Sequence, residues 1–411
     1  MKKFFLPVFI AALFPGSGIA AAQEQPPALT LPGVIAEVKT ANPSLAAGRR
    51  QLALLQAEVG INSAYPNPSI EIDKAASSGS DGYEIKVAQP VPLTRRAGTA
   101  AGAAHAAYEA AQKELLALET VILSAARKAW YALRIARERS NFEEKNVRFS
   151  MDILNKIEMR LQTGEAGNSD LARAKVETSR SNYHLQEAEA TLRAAAGELN
   201  ALMGRRPDAP AAVSENDGFS LAPVAPELEP LQKYTELALA RRHELRAMAL
   251  SGKAADLGLT LEKSKRMPVP ELGLIRGSDG GTAYSRLFLG LELPLWYNNK
   301  GGIKRALANK AALSYEAQRL ELEIRHEVYK AWLELGLSQK RLASSRETVS
   351  LLNDLRRTAS QDYLSGKIDL TAFYETNRLF LEENVNYLEA LKEYHEKTAQ
   401  LQATVNSGEE I

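Results

Sequence analysis

A chain of 411 residues with 25% charged and 45% hydrophobic residues has the composition of a folded protein, which excludes a disordered or collagen-like chain. It has no cysteine, which excludes disulfides, thiolate metal sites, a cysteine nucleophile and a lipid-modified N-terminal cysteine. A formal net charge of +1 gives no electrostatic reason to expect a nucleic-acid partner.

The chain begins with Lys2 and Lys3, an apolar run over residues 4–14, the breaker Pro15-Gly16 and the small residues Ala20, Ala21 and Ala22. This order predicts a secretory signal peptide over residues 1–22. Its removal takes two lysines, and so the formal charge from +1 to about −1, and places the mature chain outside the cytoplasm. No later stretch reaches the roughly 18 consecutive apolar residues of a transmembrane helix. Any entry into a membrane must then be made by strands.

An internal repeat organises the remainder. Pro66, Pro92, Leu93, Trp130, Gly164 and Glu187 stand 202 residues before Pro268, Pro294, Leu295, Trp332, Gly366 and Glu389. One offset held over more than a hundred residues predicts two copies of one unit, residues 23–204 and 231–406. Between them the five prolines of residues 205–230 predict an irregular linker, and residues 407–411 form a tail.

Each copy opens with a helix, over about 31–63 and 231–265, and the Asn42-Pro43 step interrupts the first. Period-two alternation then predicts strands near 68–75 and 82–92, and again near 269–276 and 284–294. Glycine-rich turns join each pair into a hairpin. Next come about 65 residues without proline and almost without glycine, 98–163 and 302–365, which as helix reach roughly 100 Å. Glycine turns at Gly164-Glu165-Ala166-Gly167 and Gly366-Lys367 end them, and return helices run to Met203 and Val405. Two short helices laid end to end match the long one in length. Leu171, Ala174, Thr178, Ser181, Leu185, Ala188, Leu192, Ala195, Leu199 and Leu202 make a seven-residue seam on the first return helix. The second return helix is less regular, with Glu383 and Lys397 at the positions equivalent to Ser181 and Ala195, which predicts a different packing. The alanines of residues 97–111 fit either close helix packing or high helix propensity.

Four amphipathic strands cannot close a membrane barrel, whose smallest form has eight, so an oligomer is required. The predicted fold is mainly α with a small β part, a pooled barrel at one end of a long helical cylinder.

The two-copy layout, with Tyr65-Pro66-Asn67-Pro68 entering the first strand, residues 294–302 leaving the last and Leu202-Met203-Gly204 closing the first copy, resembles the TolC-like outer-membrane efflux family. The resemblance covers essentially the whole mature chain. It implies a homotrimer: a 12-stranded transmembrane β-barrel in the outer-membrane lipid above a trimeric α-helical barrel crossing the periplasm. It also implies a passive exit duct docked to a periplasmic adaptor protein and an inner-membrane transporter of the resistance-nodulation-division type. The Asn-Pro step, the Pro-Asn-Pro entry and the Asn-Asn-Lys-Gly-Gly exit resemble the heavy-metal (CzcC-like) branch, which points to divalent or heavy-metal cargo; drug efflux and type I secretion are the alternatives. That branch contains lipid-anchored members, and without a cysteine the barrel is the expected membrane attachment.

In the family, acidic residues six and nine positions after the second turn glycine narrow the tunnel. Those positions are Ala372 and Glu375, so Glu375 is the candidate constriction residue, with Asp369 on the turn and Asp170 in the first copy as companions. A ring of carboxylates there would attract cations. The turns imply adaptor-docking tips at Arg160, Thr163, Gly164 and Gly167 and at Ser365, Gly366 and Lys367, with Arg160 in the family position and Asp362 as its counterpart. The histidines His105, His184, His243, His326 and His395 include no pair three or four residues apart, so no metal site is expected. No phosphate loop, dinucleotide fingerprint or nucleophile elbow is present, which leaves no cofactor and no catalytic residue to assign. A periplasmic coiled-coil scaffold is the remaining non-channel reading.

Overall fold

The computed structural model describes residues 29–77, 80–214 and 219–406. The predicted signal peptide at 1–22 and the tail at 407–411 lie outside the described residues, as does part of the linker.

Both copies have the same succession of elements. The first is α1 (Leu31–Ala41), α2 (Pro43–Ser63), β1 (Ser69–Ser77), β2 (Ser80–Pro90), α3 (Arg96–Gln162) and α4 (Asn168–Leu202). The second is α5 (Leu231–Arg241), α6 (His243–Ser264), β3 (Pro270–Asp279), β4 (Thr282–Leu291), α7 (Lys300–Leu364) and α8 (Leu370–Thr404). The 67 residues of α3 and the 65 of α7 make helices of roughly 100 Å.

The first helix of each copy is broken in two. Asn42 leaves the helical region with ψ 124°, and its Oδ1 accepts from the amides of Ser44 and Leu45 at 3.0 and 3.2 Å, capping α2 ahead of Pro43. The second copy was expected to run unbroken, yet Arg242 adopts the same extended conformation, ψ 131°. No proline forces it. Tertiary contacts hold it instead: Arg242 Nη1 donates to Glu327 Oε2 at 2.6 Å, and Asn406 Nδ2 donates to Arg241 O at 2.9 Å.

Those breaks are where the return helices end. Asn42 Nδ2 donates to Leu202 O at 2.8 Å, so α4 stops against the start of α2 and both lie along α3. The end-to-end stacking expected from lengths therefore involves α2 and α4, with α1 turned onto α3 separately. Gly204 makes the close approach possible. It has φ +72°, and a Cβ there would stand 2.6 Å from Ala41 O. Gly204→Ala is expected to lower the stability of the purified protein by about 1–2 kcal/mol from the left-handed backbone alone, with the clash in addition, readable as a lower denaturant midpoint.

The linker packs across both long helices at mid-height. Leu29 N donates to Ala212 O at 2.7 Å and Ser214 N to Leu29 O at 3.1 Å. The two tryptophans related by the repeat hold it: Trp332 Nε1 donates to Glu229 O at 3.0 Å, and Trp130 meets Phe219 edge-on. Two equatorial cores form around them, one on Val34, Val38, Leu133 and Leu199, the other on Ile324, Val328, Leu391 and Leu401.

Ala174, Thr178, Ser181, Ala188 and Leu199 of the α4 seam are buried. On α8 the buried row is aromatic, Phe373, Phe380 and Tyr394 with Tyr387 between, one every seven residues. The packing differs at Glu383 as expected, its Oε1 accepting from Ser345 Oγ on α7 at 2.6 Å. In the equivalent layer of the first copy the carboxylate, Glu143, is on α3 and the hydroxyl, Ser181, on α4, and Asn146 Nδ2 bridges them at 3.4 Å to each; Glu143 is buried, and burial raises its pKa. Lys397 reaches Glu334 Oε2 at 2.9 Å.

The strands form one antiparallel sheet, β1-β2-β3-β4, with β1 and β4 at its edges. β2 ends at Pro90 rather than 92, and β4 at Leu291 rather than 294, because β3 opens with Pro270 paired to Leu291 and offers nothing beyond it. The register puts Ile70, Val87, Leu274 and Leu287 in one row across all four strands, flanked by Ile72, Ile85, Leu272, Leu289 and Leu291 on the same face. That face is apolar over these rows apart from Arg276, opposite Ile85, and Lys74 toward the hairpin, and it is exposed, up to 88% at Leu287. The opposite face carries Glu71, Asp73, Glu84 and Glu271 with Lys86 and Arg286. There Lys86 Nζ meets Glu71 Oε2 at 3.1 Å, and Glu84 Oε2 accepts from Arg286 and from Tyr284 Oη.

Candidate functional site

The helical end farthest from the sheet is formed by the two glycine turns. Gly164 and Gly366 take φ of +78° and +75° in open space, which lets each long helix stop and reverse. Glu165 N donates to Arg160 O and Lys367 N to Asp362 O, both at 2.8 Å, so the two turns close alike. Thr163, Gly164 and Gly167 are exposed, as are Ser365, Gly366 and Lys367.

Arg160 and Asp362, opposite in charge at equivalent positions, each find an opposite partner five residues on. Arg160 Nε stands 3.5 Å from Glu165 Oε2, and Lys367 Nζ stands 3.2 Å from Asp362 Oδ1. Each ion pair spans its own turn. The Arg160 guanidinium also lies 5.5 Å from the centre of the Tyr363 ring, which ties the first turn to the second copy.

Beneath the turns the copies share one core of Ile153, Ile157, Ala174, Ala359, Tyr363, Leu370 and Phe373. Phe373 is fully buried and stacked on Tyr363, ring centres 5.3 Å apart. Arg356 of α7 places its guanidinium between the rings of Phe149 and Phe380, at 4.3 and 4.4 Å. Arg173 of α4 donates to Thr371 of α8. The tips of the two copies are therefore one packed unit.

The three candidate carboxylates are not gathered at one point. Asp369 caps α8, its Oδ1 accepting from Ala372 N at 2.7 Å. Asp170 Oδ2 accepts from Gly167 N at 3.2 Å at the start of α4. Both are thus held by amides at positive helix ends. Glu375 instead pairs with a side chain on its own helix. It is exposed and accepts from Arg378 Nη2 at 2.6 Å, and this guanidinium holds its carboxyl below the usual carboxylate range. Arg378 stands 3.5 Å from Glu382 as well.

Arg356, Arg378 and the aromatic core were not foreseen among the site residues. The seven-residue spacing of Phe373, Phe380, Tyr387 and Tyr394 is the readable signal for that core. His395 is partly buried and stacked on Tyr131, and desolvation there pulls its pKa down to about 4. Among the described residues no group of three or more His, Cys, Asp or Glu could hold a metal ion.

Comparison with known proteins agrees with this layout. Residues 235–407 match the family described as "Outer membrane efflux protein". Cobalt-zinc-cadmium resistance protein CzcC of Cupriavidus metallidurans is 24% identical over 95% of this chain and 96% of its own length. The outer-membrane channel OprN superposes with a TM-score of 0.77 at 17% identity, covering 92% of this chain and 90% of its own. The open-state MtrE outer membrane channel of Neisseria gonorrhoeae gives 0.77 at 16% identity, covering 92% and 89%. The fold is thus shared with these channels over nine-tenths of the chain, and the second copy matches the outer membrane efflux protein family directly.

Proposed function

We propose that this chain is the outer-membrane exit duct of a tripartite efflux system, conducting substrate passively from an inner-membrane transporter through the periplasm and out of the cell. The observation that carries the reading is the sheet. Its apolar face is exposed along all four strands, and its other face carries most of the ionised side chains, with Lys86 paired to Glu71 and Arg286 to Glu84. A periplasmic scaffold would pack its apolar face on a helix, whereas a barrel wall turns that face to lipid. Three copies, joined β4 to β1 around a common axis, close twelve strands and leave no edge. On α7 the exposed Tyr315, Leu322 and Tyr329, seven apart, supply a seam for a neighbouring copy.

Outer-membrane fractionation with unheated gel electrophoresis tests the reading: a trimer that dissociates only on boiling is expected. A soluble periplasmic monomer would end it.

Divalent or heavy-metal cations are the proposed cargo. CzcC is by name a cobalt-zinc-cadmium resistance protein, and on the polar face Glu71, Asp73, Glu84 and Glu271 outnumber Lys86 and Arg286. A strain lacking the protein should lose survival on cobalt, zinc or cadmium; a loss confined to drugs would reassign the cargo. The exposed tips are the proposed docking points for a periplasmic adaptor, and a resistance-nodulation-division transporter is the proposed pump. Cysteines placed at Thr163 and Ser365 should cross-link to the adaptor, while capture only at the barrel loops would remove the tips from that role.

Glu375 is proposed to line the narrowest part of the tunnel, with Asp369 and Asp170 contributing field from their capping positions. Its partner Arg378 tempers that field. Glu375→Gln should therefore reduce cation preference in planar bilayers only in part, and Arg378→Gln should raise it. Unchanged reversal potentials in both variants would take Glu375 out of the constriction.

A further inference from the structure

Two cations stand on the apolar side of the sheet. The row Ile72, Ile85, Arg276, Ser285 and the next row toward the hairpin turns, Lys74, Tyr83, Ser278, Ala283, are where the apolar run gives way. The side chains of Arg276 and Lys74 are exposed, and among the described residues neither has an ion-pair or hydrogen-bond partner. The cations of the polar face are held differently: Lys86 meets Glu71 at 3.1 Å and Arg286 meets Glu84 at 2.6 Å. Glu71, Asp73, Glu84, Glu271 and Asp279 all alternate onto that polar face. Among the described side chains the apolar face therefore supplies no anion of its own.

An unpaired cation facing lipid is costly at depth, and its long stem lets the charge climb to the boundary of the hydrocarbon. On β4 the row of Arg276 lies four residues from Leu289, near the centre of the apolar face, and the row of Lys74 lies six. At about 3.3 Å per residue and a strand tilt of about 40°, those are heights of about 10 and 15 Å, against about 12 Å for half of an apolar band. Arg276 thus reaches the edge of the band from below, and Lys74 lies just beyond it. Both are on the side of the hairpin turns, away from the helices, which is the outer leaflet of an outer membrane. β1 and β3 flank β2, so the two cations stand about 10 Å apart across the sheet. That separation suits two phosphates on one headgroup better than a single phosphate. Exposed Tyr83 between them and exposed Ser285 beside Arg276 add hydroxyls suited to a sugar. We propose that Arg276 and Lys74, with Tyr83 and Ser285, form a binding site for a bisphosphorylated glycolipid of the outer leaflet, each cation answering one phosphate. Arginine and phosphate make charge-assisted, bidentate pairs, and lysine serves as a point charge. The site rests on the barrel reading, since a sheet in water would leave both cations simply hydrated.

Thermal dissociation of the full-length trimer, purified in detergent, tests it. Lipid A, a disaccharide carrying two phosphates and acyl chains, should raise the dissociation midpoint by several degrees, because a ligand held only by the assembled wall stabilises that wall by mass action. Dephosphorylated lipid A and phosphatidylglycerol should give little of that rise. The double variant Lys74→Gln, Arg276→Gln, read against its own lipid-free midpoint, should lose the rise. The double variant Lys74→Arg, Arg276→Lys, which keeps both charges, should retain most of it. No rise in the wild-type protein, a full rise in the neutral variant, its loss in the charge-keeping variant, or an equal rise from dephosphorylated lipid A or phosphatidylglycerol would each overturn the glycolipid site while leaving the barrel reading in place. A wild-type chain that forms no heat-dissociable trimer would overturn the barrel reading, and the site with it.

Discussion

Leu289→Arg is expected to eliminate heat-resistant trimers from the outer membrane. Leu289 lies midway between Leu287 and Leu291 on β4, opposite Leu272, near the centre of the apolar face. In a lipid-facing band an arginine at the bilayer midplane costs about 2–4 kcal/mol, or about 6–12 kcal/mol over three chains. The larger figure rivals the whole stability of an ordinary domain. If the face were in water instead, replacing an exposed leucine by arginine would change stability by no more than about 0.5 kcal/mol. The two environments thus predict opposite outcomes for one substitution. Asp73→Asn, on the polar face, should leave trimers intact. Trimers of Leu289→Arg in wild-type amounts would remove lipid from this face.

What was readable in the sequence, and what was not, divides by the range of the interactions responsible. The repeat, the hairpins and the long helices follow from local signals, because glycine and proline mark their ends and alternation marks the strands. The break at Asn42 was legible for the same reason: an asparagine that can cap precedes a proline that can start a helix. The break at Arg242 was not, since the Glu327 and Asn406 that hold it lie 85 and 164 residues away. Glu383 likewise signals a different packing in the sequence, but its partner Ser345 lies 38 residues away on α7 and cannot be read from spacing. Alternation in β4 separates two faces, but only the four-strand register joins Ile70, Val87, Leu274 and Leu287 into one apolar row. At the tips the acidic residues could be found by counting from the turn glycine. That Asp369 and Asp170 bond backbone amides, while Glu375 answers to Arg378, depends on side-chain geometry that spacing does not encode.

Phe373→Ala should loosen the tips without unfolding the rest of the chain. Phe373 is enclosed by protein on every side: Tyr363 stacks on it, Phe149 and Tyr374 lie beside it, and Ile157, Ala174 and Leu370 complete the cluster. Truncating such a phenylalanine costs about 3–5 kcal/mol, through lost burial and the cavity left behind. The loss falls on one place. The tip core shares no residue with the two equatorial cores, so the free energy is withdrawn from the segment that must separate if the tunnel end is to widen. Amide exchange should accelerate in residues 153–177 and 356–377 while the equatorial segments around Leu133 and Leu391 keep their protection. Single-channel conductance should rise, because the shared core is then depleted and Arg160 over Tyr363, Arg173 to Thr371 and Arg356 against Phe149 must carry more of the joint between the copies. Phe373→Leu, which restores most of the volume, should return both measurements toward the wild-type values. Wild-type exchange and conductance in Phe373→Ala would mean that something other than this shared core holds the two copies together at the tip.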